Sequence, residues 1–124
     1  MRDVIEIETN RLKLRRLRMS DAQRIACFLD DPGVGRMLAM TPLPYPSVAA
    51  EGWIMITRAR APLERDFVYA IDREDEGLIG CIGAHQREGR TFEVGYWIGR
   101  PYWGQGYATE AARGFVAAAS KLGA

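Results

Sequence analysis

The stretch Thr91–Leu122, TFEVGYWIGRPYWGQGYATEAARGFVAAASKL, decides the fold that this chain is predicted to adopt. Residues Thr91–Ile98 are rich in aromatic and β-branched side chains, which predicts a buried strand. Gly99-Arg100-Pro101 would interrupt either a strand or a helix. From Ala108 onward the apolar residues recur at helical spacing, and Gly123 stands where helices commonly end. The stretch therefore predicts a strand, a glycine-rich turn and a helix.

The turn Gly104-Gln105-Gly106 admits two interpretations. Glycines at the start of a helix leave backbone N–H groups uncovered, and the helix dipole adds a positive field there, so the turn suits a phosphate or pyrophosphate. No lysine follows Gly106, which excludes the nucleoside-triphosphate P-loop, and Thr109 replaces the third glycine of the dinucleotide fingerprint. On the glycines alone, a tight turn packed under a helix explains the pattern equally well.

Composition restricts the class of protein. The chain has 124 residues, of which 48% are hydrophobic, and a formal net charge of +1. We expect one globular domain over residues 1–124, and no nucleic-acid partner, because such partners require a strong basic surface. No apolar run approaches the roughly 20 residues of a membrane span. The first residues, MRDVIEIETN, are too charged for a secretory signal, so we predict a cytoplasmic protein without a membrane partner.

Further strands and helices can be predicted on the N-terminal side of Thr91–Leu122. Short turns between the strands indicate antiparallel neighbours. The prediction is an α+β (α/β) fold in the order β-α-α-β-β-β-α, with a mixed, mostly antiparallel sheet flanked by helices and the first two helices on one face. The Arg and Lys residues of the first strand are assigned to a solvated face. The predicted elements before Thr91 are a strand at Arg11–Leu17, a helix from Met19-Ser20-Asp21 to Leu29, a helix at Ser47–Arg60, and strands at Phe67–Ile71 and Leu78–Ala84.

The two cysteines and the single histidine do not indicate a reactive site. Cys27 and Cys81 are far apart in sequence, and with His85 they provide too few ligands for a metal. A thiol nucleophile would need an activating base, and none is apparent. We therefore expect both cysteines to be buried as small hydrophobic residues, and no metal to be bound.

The run GYWIGRPYWGQGYATEA, residues 95–111, resembles the acyl-CoA-binding motif of the GNAT N-acetyltransferase superfamily. The superfamily pattern Gln/Arg-x-x-Gly-x-Gly/Ala aligns with Trp103-Gly104-Gln105-Gly106-Tyr107-Ala108. Trp103 departs from the usual Gln or Arg, but Trp-Gly-x-Gly-Tyr-Ala is habitual in the branch of Rim-type enzymes that acetylate ribosomal-protein N-termini. The Arg-Leu-x-Leu-Arg strand near the N-terminus also resembles the opening of these chains.

The resemblance implies an acetyl-CoA-dependent transfer of an acetyl group to a primary amine, either a protein N-terminus or a small amine, by direct attack on the thioester. The pyrophosphate would lie on the N–H groups from Gln105 to Thr109, and the pantetheine amides would pair with the preceding strand. By analogy with related enzymes, Leu38, Met40 and Tyr45 would contact the acceptor. The favoured alternative for this segment is a loop that Leu38, Leu43 and Tyr45 hold against the core. The implied cofactor-binding residues are Tyr96, Trp97, Ile98, Trp103, Gly104, Gln105, Gly106, Tyr107, Ala108 and Thr109.

Two glutamates are candidates for roles in this chemistry. The resemblance to histone-acetylating members makes Glu93 the candidate catalytic base, because burial in an apolar strand would raise its pKa towards a useful range. A structural glutamate, paired with an arginine or facing water, remains an equal alternative. Glu110 would favour the helix dipole but compete with a phosphate, so we assign it a structural role.

The resemblance fails at the C-terminus. Complete members of the family continue after this helix with further strands and a helix, whereas this sequence stops at Ala124. The strand Thr91–Ile98 would then keep an uncovered edge. We expect either a truncated or incompletely read polypeptide, or a homo-oligomer in which a second chain completes the missing part. Without that part, the alternative function is a CoA-binding module without efficient catalysis.

Overall fold

A five-stranded antiparallel sheet organises the chain. The computed structural model describes residues 6–35, 51, 53–55, 66–86 and 92–121. The strands lie side by side in sequence order, which confirms the predicted antiparallel neighbours. Their bounds are β1 Ile7–Glu8, β2 Leu12–Arg16, β3 Asp66–Arg73, β4 Gly77–Gln86 and β5 Phe92–Ile98.

Helices accompany the sheet, and the α+β class is confirmed. Helix α1 spans Ala22–Leu29 after a 3-10 turn at Met19–Asp21, and the long helix α3 spans Tyr107–Lys121. The short helix α2, Pro32–Gly35, was not among the predicted elements; proline is favoured at the first position of a helix. Strand β1 was also not predicted, because two residues are too few to show a period. Residues 51 and 53–55 are helical, as the prediction for Ser47–Arg60 requires of them.

The sheet buries apolar side chains on both faces. The α1-face core combines α1 with one face of the strands and with Ile54, so the described residues of the second predicted helix lie on the same face as α1. The α3-face core combines the opposite face with Ala111 and Phe115 of α3, which carry the predicted apolar stripe. Neighbouring residues of β3 alternate between the cores: Ala70 joins the first, and Tyr69 and Ile71 join the second. Burial on both faces explains why residues 67–71 of β3 and most of β4 are apolar.

Strand β4 contains a bulge next to a close approach of two backbones. Opposite Ile71 and Asp72 of β3 the register shifts, which leaves Ile79 as the additional residue. At the adjacent Gly80, a Cβ atom would lie 2.2 Å from the carbonyl oxygen of Trp97. A side chain at this position would force β4 and β5 apart, so the close approach of the two backbones requires glycine.

The prediction of a solvated basic face on β2 is wrong for Arg15, which is buried. Its guanidinium donates two 2.9 Å hydrogen bonds to the Asp21 carboxylate and one of 2.6 Å to Asp72. Burial raises the pKa of Asp21, but the hydrogen bonds from Arg15 and from the Arg18 N–H lower it more, so the net pKa is below its ordinary value. The buried network ties β2 and β3 to the turn that opens α1.

The prediction of two buried cysteines is half correct. Cys81 lies in the α1-face core, and burial raises the pKa of its thiol far above the ordinary value. Cys27 is exposed, because it lies on the side of α1 that faces away from the sheet. Within the described part of the chain, no helix has the length and apolar character needed to cross a membrane.

Candidate cofactor site

The residues between β5 and α3 form a compact turn that depends on two glycines. A 3-10 turn at Arg100–Tyr102 follows Gly99, and helix α3 begins at Tyr107. Gly104 and Gly106 have φ angles of 75° and 81°. Residues with a Cβ atom rarely adopt this left-handed conformation, so the two glycines of the motif are required by the backbone.

The N-terminus of α3 presents unpaired donors. The Gly106 carbonyl accepts the first intrahelical bond, from the Glu110 N–H over 3.1 Å. The N–H groups that precede it along the chain, Gln105 to Thr109, have no acceptor among the residues that the structure describes. Five adjacent donors at the positive end of a 15-residue helix constitute a surface suited to an anion.

A clamp formed by Thr9, Arg11 and Glu110 anchors this helix end to the β1–β2 turn. The Glu110 carboxylate accepts hydrogen bonds from the Thr9 hydroxyl, from the Arg11 backbone N–H over 2.7 Å and from Arg11 Nε, also over 2.7 Å. Glu110 is only 16% exposed. These contacts confirm the structural role predicted for Glu110, and they neutralise its charge beside the anion surface.

Arg11 also supports the glycine turn directly. Its Nη1 donates to the Gln105 carbonyl over 3.0 Å, and its Cζ lies 4.3 Å from the centre of the Tyr107 ring. The guanidinium, which is paired with Glu110, thus holds the turn whose N–H groups are unpaired and leaves no net negative charge beside it. The sequence patterns assigned Arg11 only to a strand face. No local signal identifies its role, because its partners lie more than 90 residues away along the chain.

Replacing Glu110 with glutamine tests the clamp. We expect Glu110→Gln to lower the free energy of unfolding by about 1–2 kcal/mol, because charge-assisted hydrogen bonds are lost. Burial raises the pKa of Glu110, but the bonds from Thr9 and Arg11 lower it more, to a net value below the ordinary one. The stabilisation is therefore complete above about pH 4 and is lost as pH falls through the depressed pKa. Urea unfolding of the wild type and the variant, above about pH 4 and again below the depressed pKa of Glu110, measures the effect.

The matched control is Glu74→Gln in the exposed β3–β4 turn. This substitution makes the same chemical change without a clamp, so stability should change by less than about 0.5 kcal/mol. Equal losses in the two variants would show that the clamp does not stabilise α3.

The outer edge of β5 is open for pairing. The Gly99 N–H donates to the Ile79 carbonyl over 2.8 Å. Inward and outward backbone groups alternate along an antiparallel pair, so Trp97 and Gly95 direct theirs towards β4, and Val94, Tyr96 and Ile98 direct theirs away. Since β5 is the last strand in the sheet order, these outward groups have no strand beside them in the described part of the chain.

Trp103 makes a hydrogen bond to one of these outward-facing backbone groups. Its indole Nε1–H donates to the Ile98 carbonyl over 2.6 Å. The outward groups left open are the N–H and C=O of Val94 and Tyr96 and the N–H of Ile98. The open edge and the glycine turn are thus adjacent, and Trp103 lies between them.

The predicted cofactor contacts on β5 differ in their exposure and in the direction of their backbone groups. Tyr96 is 44% exposed, and its backbone faces the open edge. Trp97 is 2% exposed and lies in the α1-face core, so both its side chain and its backbone groups point away from the edge. This geometry argues against Trp97 as a direct cofactor contact. Ile98 is also buried, and it could contribute only its N–H.

The remaining predicted site residues are located as follows. Tyr107 is buried between Arg11 and Tyr102, so only its N–H faces the anion surface, whereas Ala108 and Thr109 are partly or fully exposed. Glu93 lies in β5 in register with His85 of β4, and its catalytic role stays a prediction. The predicted acceptor contacts Leu38, Met40 and Tyr45 lie outside the described residues. In the part of the chain that the structure describes, no group of three His, Cys, Asp or Glu side chains could hold a metal ion.

Comparison with known proteins identifies relatives over most of the chain. Residues 11–124 match the model of the acetyltransferase (GNAT) domain family. An uncharacterized N-acetyltransferase of Bacillus licheniformis, p20, is 32% identical over 111 residues, which cover 87% of this chain and 62% of that protein. The chain thus spans less than two thirds of the length of this relative.

Solved structures share the fold at low sequence identity. The ribosomal-protein-S5-alanine acetyltransferase of Vibrio fischeri superposes with a TM-score of 0.80 at 15% identity, over 95% of this chain and 68% of that one. RimJ of Mycobacterium smegmatis, solved with a CoA disulfide, has a TM-score of 0.75 at 20% identity, over 93% of this chain and 60% of that one. Together with the family match, the strand, double-glycine turn and helix show that this chain belongs to the GNAT acetyltransferase domain family.

Proposed function

We propose that this chain binds acetyl-CoA and transfers the acetyl group to a primary amine, on a protein N-terminus or a small molecule. The observation that carries this proposal is the adjacency of two features. One is the glycine turn, with the unpaired N–H groups of Gln105–Thr109, and the other is the open edge of β5. CoA contains a pyrophosphate joined to a pantetheine chain with two amide groups. It therefore matches the glycine turn and the open edge of β5 in chemistry and in the order of its parts.

The chain's own groups would hold such a molecule in two ways. The turn N–H groups would donate to the phosphate oxygens, with the Arg11–Glu110 pair holding the turn in place. The pantetheine amides would pair with the open N–H and C=O groups of Val94 and Tyr96, as an added strand would. Both sets of groups are held in place before a ligand arrives, which limits the entropy lost on binding.

The transfer itself requires alignment and a proton acceptor. A thioester is already activated, so a neutral amine can attack its carbonyl carbon directly; the C–N bond forms as the C–S bond breaks. The amine must lose a proton, and Glu93 on β5 is the proposed base. The lost proton and the departing thiolate together account for the free thiol that is released.

Two measurements test this function. Calorimetric titration should detect binding of acetyl-CoA, and the absence of heat at millimolar ligand would refute CoA recognition altogether. A thiol-release assay with a panel of amines and N-terminal peptides separates an active transferase from a module that binds without turnover. We expect Glu93→Gln to lower the rate constant by about 100-fold, as loss of a general base does, while acetyl-CoA affinity stays within about twofold. An unchanged rate and pH profile would exclude Glu93 as the base.

The acceptor, the cytoplasmic location and the homo-oligomer remain predictions. RimJ and the Vibrio fischeri protein share the fold with this chain, and the name of the latter specifies a ribosomal-protein acceptor. We therefore propose ribosomal-protein N-terminal peptides as the first members of the amine panel. Light scattering of the purified chain, with and without acetyl-CoA, will determine whether copies associate.

A further inference from the structure

Trp103 joins the two halves of the candidate site. Its indole N–H is bonded to the Ile98 carbonyl at the end of β5, and the next residue along the chain, Gly104, begins the left-handed turn. Its ring packs against both the α1-face core and the α3-face core. A movement of Trp103 would therefore displace the turn relative to the strand edge.

Other contacts hold the indole from its outer side. The Arg100 Cζ lies 4.6 Å from the centre of the Trp103 ring, within the range of a cation–π contact. Arg100 in turn pairs with Asp31, which holds the pKa of that carboxyl at about 2, well below its ordinary value. The position of Trp103 is thus set by the α1–α2 junction as well as by β5.

We propose that Trp103 is a positioning residue that sets the separation between the anion-binding turn and the open edge of β5. With this separation fixed, a CoA molecule can place its pyrophosphate on the turn and its pantetheine on the edge at the same time. Binding one half then raises the effective concentration of the other at its own subsite. Since this role presupposes CoA binding, it rests on the function proposed above.

The role predicts a selective effect on a ligand that spans both subsites. Trp103→Phe retains an aromatic ring beside Arg100 but loses the N–H donor to Ile98. We expect the affinity for CoA to fall by about fivefold, as for the loss of one hydrogen bond that positions the site. Adenosine 3′-phosphate 5′-diphosphate carries the pyrophosphate but no pantetheine, and its affinity should change by less than about twofold. Calorimetric titration with the two ligands measures the ratio of their affinities in the wild type and in the variant.

Trp53→Phe is the matched control. Trp53 is partly buried against the α1-face core, so the substitution removes the same atoms from a tryptophan that donates no hydrogen bond to the described residues of β5. The ratio of the two affinities should remain that of the wild type. If Trp103→Phe fails to fold, benzothienylalanine at position 103 retains the two-ring shape and lacks only the N–H.

Each outcome can be assigned to one of the two hypotheses. A fall in CoA affinity alone supports the positioning role. Equal losses for both ligands, or no loss for either, would overturn that role while leaving CoA recognition intact. A wild-type chain that binds neither ligand would instead overturn the proposed function.

Discussion

Gly106→Val is expected to abolish measurable binding of acetyl-CoA. The φ angle of 81° at Gly106 is unfavourable for a β-branched residue, and the added methyl groups would cover the N–H surface that a phosphate must approach. Losing two hydrogen bonds to a charged ligand removes about 3–6 kcal/mol, so affinity should fall by about 100-fold or more. Calorimetric titration of the folded variant with acetyl-CoA measures the effect.

Gly77→Val separates the loss of the binding surface from backbone strain. Gly77 has a comparable φ angle of 89°, and a Cβ atom there would meet nothing within 4 Å. At Gly106 a Cβ atom would contact only the end of the Arg11 side chain, at 3.5 Å. Both variants should therefore lose about 1–2 kcal/mol of stability from the left-handed conformation. Only Gly106→Val should lose its affinity for acetyl-CoA. If Gly106→Val binds acetyl-CoA as tightly as the wild type, the placement of the pyrophosphate on this turn is refuted.

Arg15→Met is expected to have the largest effect on stability. The side chains of Arg15 and Asp21 are only 6% and 9% exposed. Removing the guanidinium leaves the buried Asp21 carboxylate without its ionic partner, with only the Arg18 N–H still donating to it, which costs about 3–5 kcal/mol. That loss is a large fraction of the total stability of a small domain, so the variant should be partly unfolded at moderate temperature. Urea unfolding monitored by circular dichroism measures it.

The effect of pH on this variant identifies its cause. In the wild type, the depressed pKa of Asp21 stabilises the fold above about pH 4, and this contribution is lost as pH falls. Without Arg15, the Asp21 pKa should rise because the guanidinium no longer opposes the effect of burial, so the variant should lose less stability than the wild type as pH falls from about 7 towards 4. Arg16→Met, at the exposed neighbouring position, should change stability by less than about 0.5 kcal/mol at either pH. A pH-independent difference between Arg15→Met and the wild type would contradict an ionic origin.

The elements that could be predicted are those with a strong local pattern. The strand β5 and the helix α3 were predicted within two residues of their observed starts, because aromatic and β-branched residues on one side of the glycines give way to alanines on the other. The first helix was also predicted correctly. The short elements β1 and α2 were missed, since a few residues cannot establish a period.

The errors concern side chains whose surroundings come from distant parts of the chain. Arg15 was assigned to solvent because charged residues on a strand usually face water. The 3-10 turn before α1 folds over it and supplies Asp21, and β3 supplies Asp72. Cys27 was assigned to the core from its residue type, whereas the packing direction of α1 leaves it outside. Neither outcome could be predicted without knowing which faces are covered.

The sequence by itself determined the strand, the double-glycine turn, the helix and their family resemblance, since glycine freedom, helix propensity and motif spacing are properties of neighbouring residues. Only the tertiary structure decided how this turn is held and where it stands relative to β5. Arg11 reaches Gln105 across 94 positions of the sequence, and the Trp103 indole closes back on Ile98 only because β5 ends beside it. Such contacts depend on how the elements pack, and local propensity carries no information about that packing.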